Sequence, residues 1–428
     1  MQIDTLTFDL HTCMVVSVTY RLRSLTATAQ RAARTFPAVL VTGPRQSGKT
    51  TFLRREFGAS HGYVSLERPD VRARALADPE GFLREVGEPV ILDEIQYAPD
   101  LLSYIKDRID ADRRPGRWLL TGSQTFALMK GVSQSLAGRV AVLALEPLST
   151  AEAVGRPAGA SPAEMLGRVF IERPRTPRHA AVATVDLGDW LLRGGFPELR
   201  VNPDVDRTLW FSSYVQTYLE RDVRDLLRVS DLETFRHFLF LVGARTGQLL
   251  NLAELGRELG VSAPTAKQWL SVLQASRIVY LLRPFHRNLG KRIRKSPKLY
   301  VMDPGLATFL MGLHTKDAVL QGPSVGPLME TAVVSEWVKA FRASGIEPPC
   351  SFWQASTGHK VDLVIESNGR LHGLEIKSTS TPTPGHASGL LAWAGAAGAQ
   401  ARVALACRID QPLSLASGVR AVPWHLAW

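Results

Sequence analysis

Residues 38–52 read AVLVTGPRQSGKTTF, a short apolar run that leads into a glycine-rich loop. The run Ala38–Thr42 is apolar and rich in β-branched residues, which predicts a strand buried in a parallel sheet. Residues 43–50 fit the phosphate-binding pattern G-x-x-x-x-G-K-[ST] at every position. In this pattern the glycines let backbone N–H groups wrap the phosphates, and the N-terminus of the next helix, expected over 49–57, attracts their charge. The stretch therefore predicts an α/β fold with a P-loop nucleotide site.

The same loop supplies side chains for both phosphate and metal. Lys49 is expected to reach the β- and γ-phosphates and to serve catalysis, and Thr50 is expected to reach Mg²⁺. ATP and Mg²⁺ are therefore the predicted cofactors. The candidate nucleotide-binding residues are Gly43, Pro44, Arg45, Gln46, Ser47, Gly48, Lys49, Thr50, Thr51, Asp93 and Ser123.

A second motif supports this prediction. Residues 89–94 read PVILDE, an apolar strand that ends in two acids. Asp93 is expected to help hold Mg²⁺, and Glu94 to polarise the attacking water as the catalytic base. An ordinary strand terminus with solvated acids is the alternative interpretation.

Two further segments carry candidates of the same site. Residues 117–124 read RWLLTGSQ, a predicted core strand with a polar tip. Ser123 or Gln124 is a candidate γ-phosphate sensor, with a plain strand-end turn as the alternative. Arg139 is a candidate arginine finger, and a surface salt bridge is the alternative.

The middle of the chain predicts a DNA-binding module. Residues 156–193 are proline-rich with little periodicity, which indicates an insertion or linker. Residues 251–275 then show a helix-turn-helix pattern, with leucines spaced along one face, a turn at Gly260 and an N-cap at Ser262. Strand-like residues flank a basic stretch at 283–298, and this order predicts a winged helix.

A winged helix contacts duplex DNA through its basic tip or serves as a structural or protein-interaction module, and both interpretations stay open. The candidate DNA-binding residues are Lys267, Arg287, Lys291, Arg292, Arg294 and Lys295.

Residues 360–377 read KVDLVIESNGRLHGLEIK and predict a β-hairpin. Asn368-Gly369 is the signature of a two-residue type I′ turn, which pairs Ser367 with Arg370 and brings Asp362 opposite Glu375. Four charged side chains then share one face of the hairpin, namely Lys360, Asp362, Glu375 and Lys377. Five apolar side chains point to a core on the other face, namely Val361, Leu363, Ile365, Leu374 and Ile376.

Like charges directly opposite one another destabilise a strand pair, so the two facing acids suggest a functional site. Their spacing, D-x₁₂-E-x-K, resembles the core of the PD-(D/E)xK nuclease superfamily. There, two carboxylates hold a divalent cation, and the lysine orients the attacking water or offsets phosphate charge. The catalytic candidates are Asp362, Glu375 and Lys377, and Glu330, in a predicted helix, joins Asp362 and Glu375 as a metal candidate.

This resemblance predicts a small α/β restriction-endonuclease-like domain, with a helix over 386–400 and a strand over 401–406. Val361 stands where the superfamily pattern has proline. A domain that keeps this fold but serves for docking or regulation is the alternative.

Composition narrows the classes of protein. The 428-residue chain has a net charge of +11 and a pI near 9.8, which raises the expectation of a polyanionic partner such as DNA. Three scattered cysteines suit neither a disulfide framework nor a zinc site. The chain shows no apolar run of the roughly 18–20 residues that span a bilayer. The start has no signal-peptide pattern, so we expect a cytoplasmic protein with no membrane partner.

Several motifs occur in a fixed order along the chain, namely GPRQSGKTT, LDEIQ, SLAGR, GGFPE, YLERD, METAVVSEW and VDLVIE with LEIK. With this order the chain resembles bacterial and archaeal AAA-type ATP-binding proteins that carry a C-terminal domain of unknown function. The resemblance implies an N-terminal ATPase, a winged-helix middle and a nuclease-like C-terminal domain. The expected division is an N-terminal tail (1–20), an AAA-type P-loop ATPase domain (21–155), an insertion and helical linker (156–227), a winged-helix domain (228–320) and a PD-(D/E)xK nuclease-like domain (321–428).

The expected function is ATP hydrolysis coupled to DNA, with a metal-dependent nuclease domain as a candidate second activity. The alternatives are an ATP-dependent regulatory switch with a non-cleaving docking domain, and a protein-remodelling ATPase. AAA-type ATPases often form rings in which a neighbour supplies an arginine, so a homo-oligomer is a candidate assembly beside a monomeric switch.

Overall fold

The computed structural model of the chain describes residues 20–122, 131–132, 135–156, 161–171, 185–218, 232–285, 296–355, 358–398 and 400–425. The α-helices of these residues are α1 (Thr26–Thr35), α2 (Lys49–Phe57), α3 (Pro69–Ala77), α4 (Pro79–Val86), α5 (Leu101–Ala111), α6 (Thr150–Ala153), α7 (Pro162–Phe170), α8 (Leu187–Arg193), α9 (Pro197–Val201), α10 (Arg207–Tyr218), α11 (Leu232–Ala244), α12 (Leu252–Leu259), α13 (Ala263–Ala275), α14 (Pro304–Leu310), α15 (Lys316–Gln321), α16 (Val325–Ala343) and α17 (Ser388–Ala397). The strands are β1 (Ala38–Thr42), β2 (Gly62–Ser65), β3 (Val90–Asp93), β4 (Trp118–Thr121), β5 (Val140–Ala144), β6 (Gln248–Leu249), β7 (Val279–Pro284), β8 (Lys298–Val301), β9 (Cys350–Gln354), β10 (Lys360–Ser367), β11 (Arg370–Ile376), β12 (Arg402–Cys407), β13 (Leu413–Ser414) and β14 (Arg420–Pro423).

A five-stranded parallel sheet forms the N-terminal part, in the order β2-β3-β4-β1-β5. All five residues of β1 are buried, because helices cover the sheet on both faces. Val39 and Val41 pack with α1 and α2, whereas Ala38 and Leu40 pack with α5 on the opposite face. The predicted α/β fold with a parallel P-loop sheet is confirmed, and β1 and α2 have the expected bounds.

The remainder of the chain is built around a nine-stranded sheet in the order β13-β14-β12-β11-β10-β9-β7-β8-β6. Strand β7 pairs in parallel with β9, with Arg283 opposite Ser351. This one sheet therefore runs across the expected boundary between residues 320 and 321, and joins the middle of the chain to its C-terminal part.

Helices α12 and α13 lie where the sequence predicts two helices separated by a turn. The turn lies at Gly260, and the side chain of Ser262 accepts a hydrogen bond from the backbone N–H of Thr265, at 3.2 Å. The antiparallel pair β7 and β8 follows, and β6 pairs with the other edge of β8.

The expected insertion or linker at 156–193 contains two helices, although the sequence there shows little periodicity. Helices α7 and α8 lie there, and both pack into the large core. A capping box starts α7: Glu164 N–H donates to Ser161 Oγ at 3.2 Å, and Ser161 N–H donates to the Glu164 carboxylate at 2.8 Å. Because the S-x-x-E signal is local, it was available in the sequence.

The hairpin forms with the expected turn and register. Asn368 and Gly369 have φ of 50° and 71°, as a type I′ turn requires, and the pairs run from Leu363–Leu374 to Ser367–Arg370.

One apolar side chain of the hairpin departs from the prediction. Leu363, Ile365, Leu374 and Ile376 join the large core, but Val361 packs in a second cluster beside α17. An irregularity in the pairing with β9 between Val361 and Val364 changes the side that Val361 faces. None of the helices within the described ranges is long and apolar enough to cross a membrane.

Candidate nucleotide-binding site

The P-loop connects the carboxyl end of β1 to α2, and the backbone conformation requires glycine at both of its glycine positions. Gly43 has φ of 152°, and a Cβ there would lie 2.1 Å from the carbonyl oxygen of Leu145. Gly48 has φ of 89° and directly precedes α2. A side chain at either position would strain the loop, so both glycines have the role that the motif predicts.

Lys49 is 5% exposed and folds back over the loop. Its ammonium donates hydrogen bonds to the carbonyl oxygens of Gly43 and Pro44, at 3.2 and 3.0 Å. The cation thus lies on the loop that the motif assigns to phosphate.

Asp93 ends β3 and is the centre of a buried network. Thr50 Oγ1 donates to both of its carboxylate oxygens, at 2.8 and 3.0 Å. Tyr63 Oη donates to the same carboxylate at 3.0 Å, and Thr121 Oγ1 at 2.5 Å. The structure therefore brings together the two residues predicted to hold Mg²⁺, Thr50 and Asp93.

Sequence analysis missed Tyr63 and Thr121. They come from β2 and β4, the strands on either side of β3, so only the sheet order places them beside Asp93. Burial and the negative charge of Asp93 raise the pKa of the Tyr63 phenol to about 12. Tyr63 is therefore a hydrogen-bond donor to Asp93 at neutral pH.

Glu94 follows β3 in a left-handed backbone conformation, with φ of 59° and ψ of 52°. For a residue other than glycine this conformation costs about 1–3 kcal/mol, and such strain is concentrated at functional sites. The backbone N–H of Glu94 donates to Thr121 Oγ1 at 2.9 Å, and its carboxylate accepts a hydrogen bond from Gln96. The turn places Glu94 at the wall of a cleft beside the P-loop.

This cleft has a volume of about 580 Å³, within the range of small-molecule and cofactor sites. The P-loop forms one wall, and α10 forms the other with Trp210, Ser213, Tyr214 and Thr217. The rings of Trp210 and Tyr214 are stacked, with centroids 5.3 Å apart. Sequence analysis did not assign these α10 residues, although their four-residue spacing in a helical segment places them on one face.

Among the P-loop candidates, Arg45, Gln46 and Thr51 also line the cleft. Ser123 and Gln124 lie outside the described residues. Arg139 makes a two-point contact with Asp110, at 2.5 and 2.9 Å, which is the surface salt bridge that the sequence left as the alternative.

A second cluster of charged side chains lies in the nine-stranded sheet. Asp362 is 1% exposed, and its carboxylate accepts hydrogen bonds from Lys360 Nζ at 3.0 Å and from the Ile376 N–H at 3.1 Å. Lys298 Nζ lies 3.6 Å from Asp362 Oδ1 and 2.7 Å from Glu330 Oε1.

Glu375 lies beside this group, and Lys377 Nζ donates to its Oε1 at 2.5 Å. Within the described ranges its Oε2 is buried without a hydrogen-bond partner. Burial and the charge of Asp362 raise the pKa of Glu375 to about 7, and the same two causes raise the pKa of Glu330.

The structure thus gathers the predicted Glu330, Asp362, Glu375 and Lys377 with Lys360, which the sequence places on the same face of the hairpin. Two further side chains of the cluster, Lys298 and Tyr300 from β8, are not predicted by the sequence analysis. No group of three or more His, Cys, Asp or Glu side chains in the described part of the chain is arranged to hold a metal ion.

Of the candidate DNA-binding residues, Lys267 is exposed on α13. The other five, Arg287, Lys291, Arg292, Arg294 and Lys295, lie outside the described residues.

Comparisons with known proteins agree with the P-loop geometry. Residues 35–154 match the family described as AAA domain. Residues 184–317 match Domain of unknown function (DUF8612), and residues 325–427 match Domain of unknown function (DUF4143).

Two mycobacterial relatives cover most of the chain. Uncharacterized protein Mb2031c of Mycobacterium bovis and uncharacterized protein Rv2008c of Mycobacterium tuberculosis are each 33% identical over 372 residues, 87% of this chain and 76% of each relative. Among solved structures, the Walker-type ATPase PABY2304 of Pyrococcus abyssi is similar at 17% identity and a TM-score of 0.42, over 68% of this chain and 99% of that one. This chain therefore carries an AAA domain and belongs to the same family as the two mycobacterial proteins.

Proposed function

We propose that the chain binds and hydrolyses ATP with Mg²⁺ in the cleft between the P-loop and α10. The observation that carries this proposal is the direct hydrogen bond between Thr50 and Asp93, at 2.8 Å. In P-loop enzymes, Mg²⁺ is held by the Ser or Thr hydroxyl of the P-loop and by an aspartate at the end of a neighbouring strand. Thr50 and Asp93 occupy these two positions here. The residues therefore fit Mg²⁺, which Thr50 and Asp93 would hold and which would offset the negative charge of the phosphates.

The other side chains have distinct roles in this proposal. Lys49 leaves the carbonyl oxygens of Gly43 and Pro44 and contacts the β- and γ-phosphates. Glu94 orients the attacking water, and the backbone N–H groups of the P-loop bind phosphate oxygens.

Steady-state phosphate release tests this assignment. Lys49→Ala and Glu94→Gln should each lower kcat for ATP at least about a hundredfold, since each removes a group that acts on the transferred phosphate. Glu94→Gln should still bind ATP, because the substitution leaves the phosphate contacts intact. Turnover at the wild-type rate in both variants would refute the proposal.

The second part of the proposal is contact with duplex DNA through a winged helix. Its support is the order of α12, α13, β7 and β8, together with the exposed Lys267. The logarithm of the binding constant for labelled duplex DNA should fall linearly with the logarithm of the salt concentration. Lys267→Ala should reduce the magnitude of that slope by about 1, the value for one phosphate contact. An affinity that does not depend on salt would exclude phosphate contact.

The carboxylate-lysine cluster supports two candidate roles for the C-terminal part. Among the described residues Glu375 Oε2 has no hydrogen-bond partner, and its position beside Asp362 favours a divalent cation, as in a metal-dependent nuclease. The lysines on each carboxylate favour an internally neutralised, non-cleaving docking module that serves an ATP-dependent switch.

Incubation of linear and supercoiled DNA with Mg²⁺ or Mn²⁺, with and without ATP, separates these roles. Cleavage that is lost in Asp362→Asn supports the nuclease. Intact DNA in all conditions, with ATP hydrolysis retained, supports the docking module.

A further inference from the structure

Arg23 ties the P-loop to the segment that follows β5. Its side chain is buried, just before α1. Nη1 donates to the carbonyl oxygen of Ser47 at 2.9 Å, and Nη2 donates to the carbonyl oxygen of Glu146. The guanidinium also lies 3.4 Å from Glu152, which balances its charge. One planar cation therefore fixes two backbone segments relative to each other.

The side chain of Glu146 contacts later parts of the chain. Its Oε1 accepts a hydrogen bond from Arg342 Nη1 at 2.7 Å and lies 3.5 Å from Arg277 Nη1. Arg342 is in the last turn of α16, and Arg277 lies between α13 and β7. We define the Glu146 junction as Arg23, Glu146, Arg277 and Arg342.

Helix α16 holds the same segment at two more points. Lys339 Nζ donates to the carbonyl oxygen of Leu148 at 3.0 Å. The carboxylate of Glu336 accepts hydrogen bonds from Thr150, at 3.0 Å from the backbone N–H and 2.6 Å from Oγ1. All of these charged groups are at least nearly buried, so removing one partner leaves an uncompensated buried charge. Residues 146–150 and α16 should therefore move together.

Nucleotide binding changes the loop that Arg23 holds. For Lys49 to contact phosphate, its ammonium must leave the carbonyl oxygens of Gly43 and Pro44 in the same loop. The Ser47 carbonyl, which Arg23 binds, belongs to the same short loop, so a rearrangement of the loop on phosphate binding would act on Arg23. Because Arg23 also binds the carbonyl oxygen of Glu146, a shift of Arg23 would move the backbone at Glu146.

We propose that the Glu146 junction couples nucleotide binding at the P-loop to the position of α16 in the C-terminal part of the chain. Arg23 is a positioning residue in this scheme, and the inference rests on the proposed ATP site. Coupling between two sites is reciprocal, so weakening the hold on α16 must change the affinity for nucleotide. Because Arg342 holds Glu146 in the arrangement that supports the loop, its loss should weaken binding.

Calorimetric titration of the full chain with Mg²⁺ and ATPγS tests this coupling. Arg23→Met and Arg342→Met should each weaken ATPγS binding about threefold to tenfold. The double variant should bind ATPγS as tightly as the single variant with the lower affinity, because both substitutions break the same connection. Arg342→Lys should retain much of the affinity, since it keeps the charge near Glu146. Arg245→Met is a matched control, because Arg245 pairs with Glu254 and Glu258 within the middle of the chain.

Hydrogen exchange of the wild-type chain gives a second measurement that needs no substitution. ATPγS should slow exchange in the last turns of α16, and unchanged exchange there would overturn the coupling. Wild-type affinity in Arg342→Met, or additive losses in the double variant, would overturn it as well. Absence of ATPγS binding to the wild-type chain would instead overturn the proposed ATP site, and the coupling with it.

Discussion

Thr121→Val should damage both the stability and the catalysis of the ATPase domain. Thr121 is fully buried, and its hydroxyl donates to Asp93 at 2.5 Å and accepts from the Glu94 N–H at 2.9 Å. Valine has nearly the same shape, so the substitution removes two hydrogen bonds without opening a cavity.

The magnitude follows from those two bonds. A hydrogen bond to a charged group contributes about 1.5–3 kcal/mol, and an unpaired N–H costs about 1–3 kcal/mol when buried, so the part-buried Glu94 N–H should cost toward the lower end. Because the site can relax, we expect a net loss of about 2–4 kcal/mol in the free energy of unfolding. We also expect kcat to fall at least about tenfold, which corresponds to about 1.4 kcal/mol, because the strained turn at Glu94 loses its anchor.

Urea unfolding and ATP turnover at saturating Mg²⁺-ATP measure the two effects. Thr121→Ser is the matched control, since it keeps the hydroxyl and loses only a methyl group. A Thr121→Val variant as stable and as active as Thr121→Ser would refute the reasoning.

Three other substitutions give independent tests. Tyr63→Phe removes one of three hydroxyl donors to Asp93, so it should lower the free energy of unfolding by about 1 kcal/mol and weaken Mg²⁺-ATP binding by calorimetry. Ser161→Ala should lower that free energy by about 1 kcal/mol in urea unfolding, because it removes the N-cap of α7. Glu375 has a folded-state pKa raised from 4.5 to about 7, so the folded chain binds more protons than the unfolded chain between these values, and stability should fall as pH rises through that window. Glu375→Gln should flatten that part of the pH profile, and a stability that rises over the window in the wild type would contradict the assignment.

Local motifs predicted the parts of the fold whose contacts are close in sequence. The P-loop pattern fixed the end of β1 and the start of α2, because phosphate-binding loops need glycine and a helix N-terminus at set positions. The turn at Asn368-Gly369 likewise predicted the register of β10 and β11. A two-residue type I′ turn needs positive φ at both positions, and Asn-Gly is one of the few residue pairs that adopt it readily, so the position of the turn was clear from the sequence.

Other contacts between distant segments were not predicted. Tyr63 and Thr121 meet at Asp93 because the sheet places β2 and β4 on either side of β3, and strand order is not encoded in any one segment. Lys298 reaches Asp362 through the parallel pairing of β7 with β9, which joins two segments that we had assigned to separate domains. The displaced side chain of Val361 has the same origin, because the irregularity arises in pairing with a third strand.

The most direct test of the central claim is calorimetric titration of ATP into the full chain with and without Mg²⁺, in the wild type and in Asp93→Asn. Mg²⁺ should tighten ATP binding in the wild type, because Thr50 and Asp93 would hold the metal and the metal would offset the phosphate charge. In Asp93→Asn this effect of Mg²⁺ should be lost or strongly reduced, while metal-free ATP binding remains. Absence of ATP binding to the wild type, or an equal effect of Mg²⁺ in both proteins, would contradict the account.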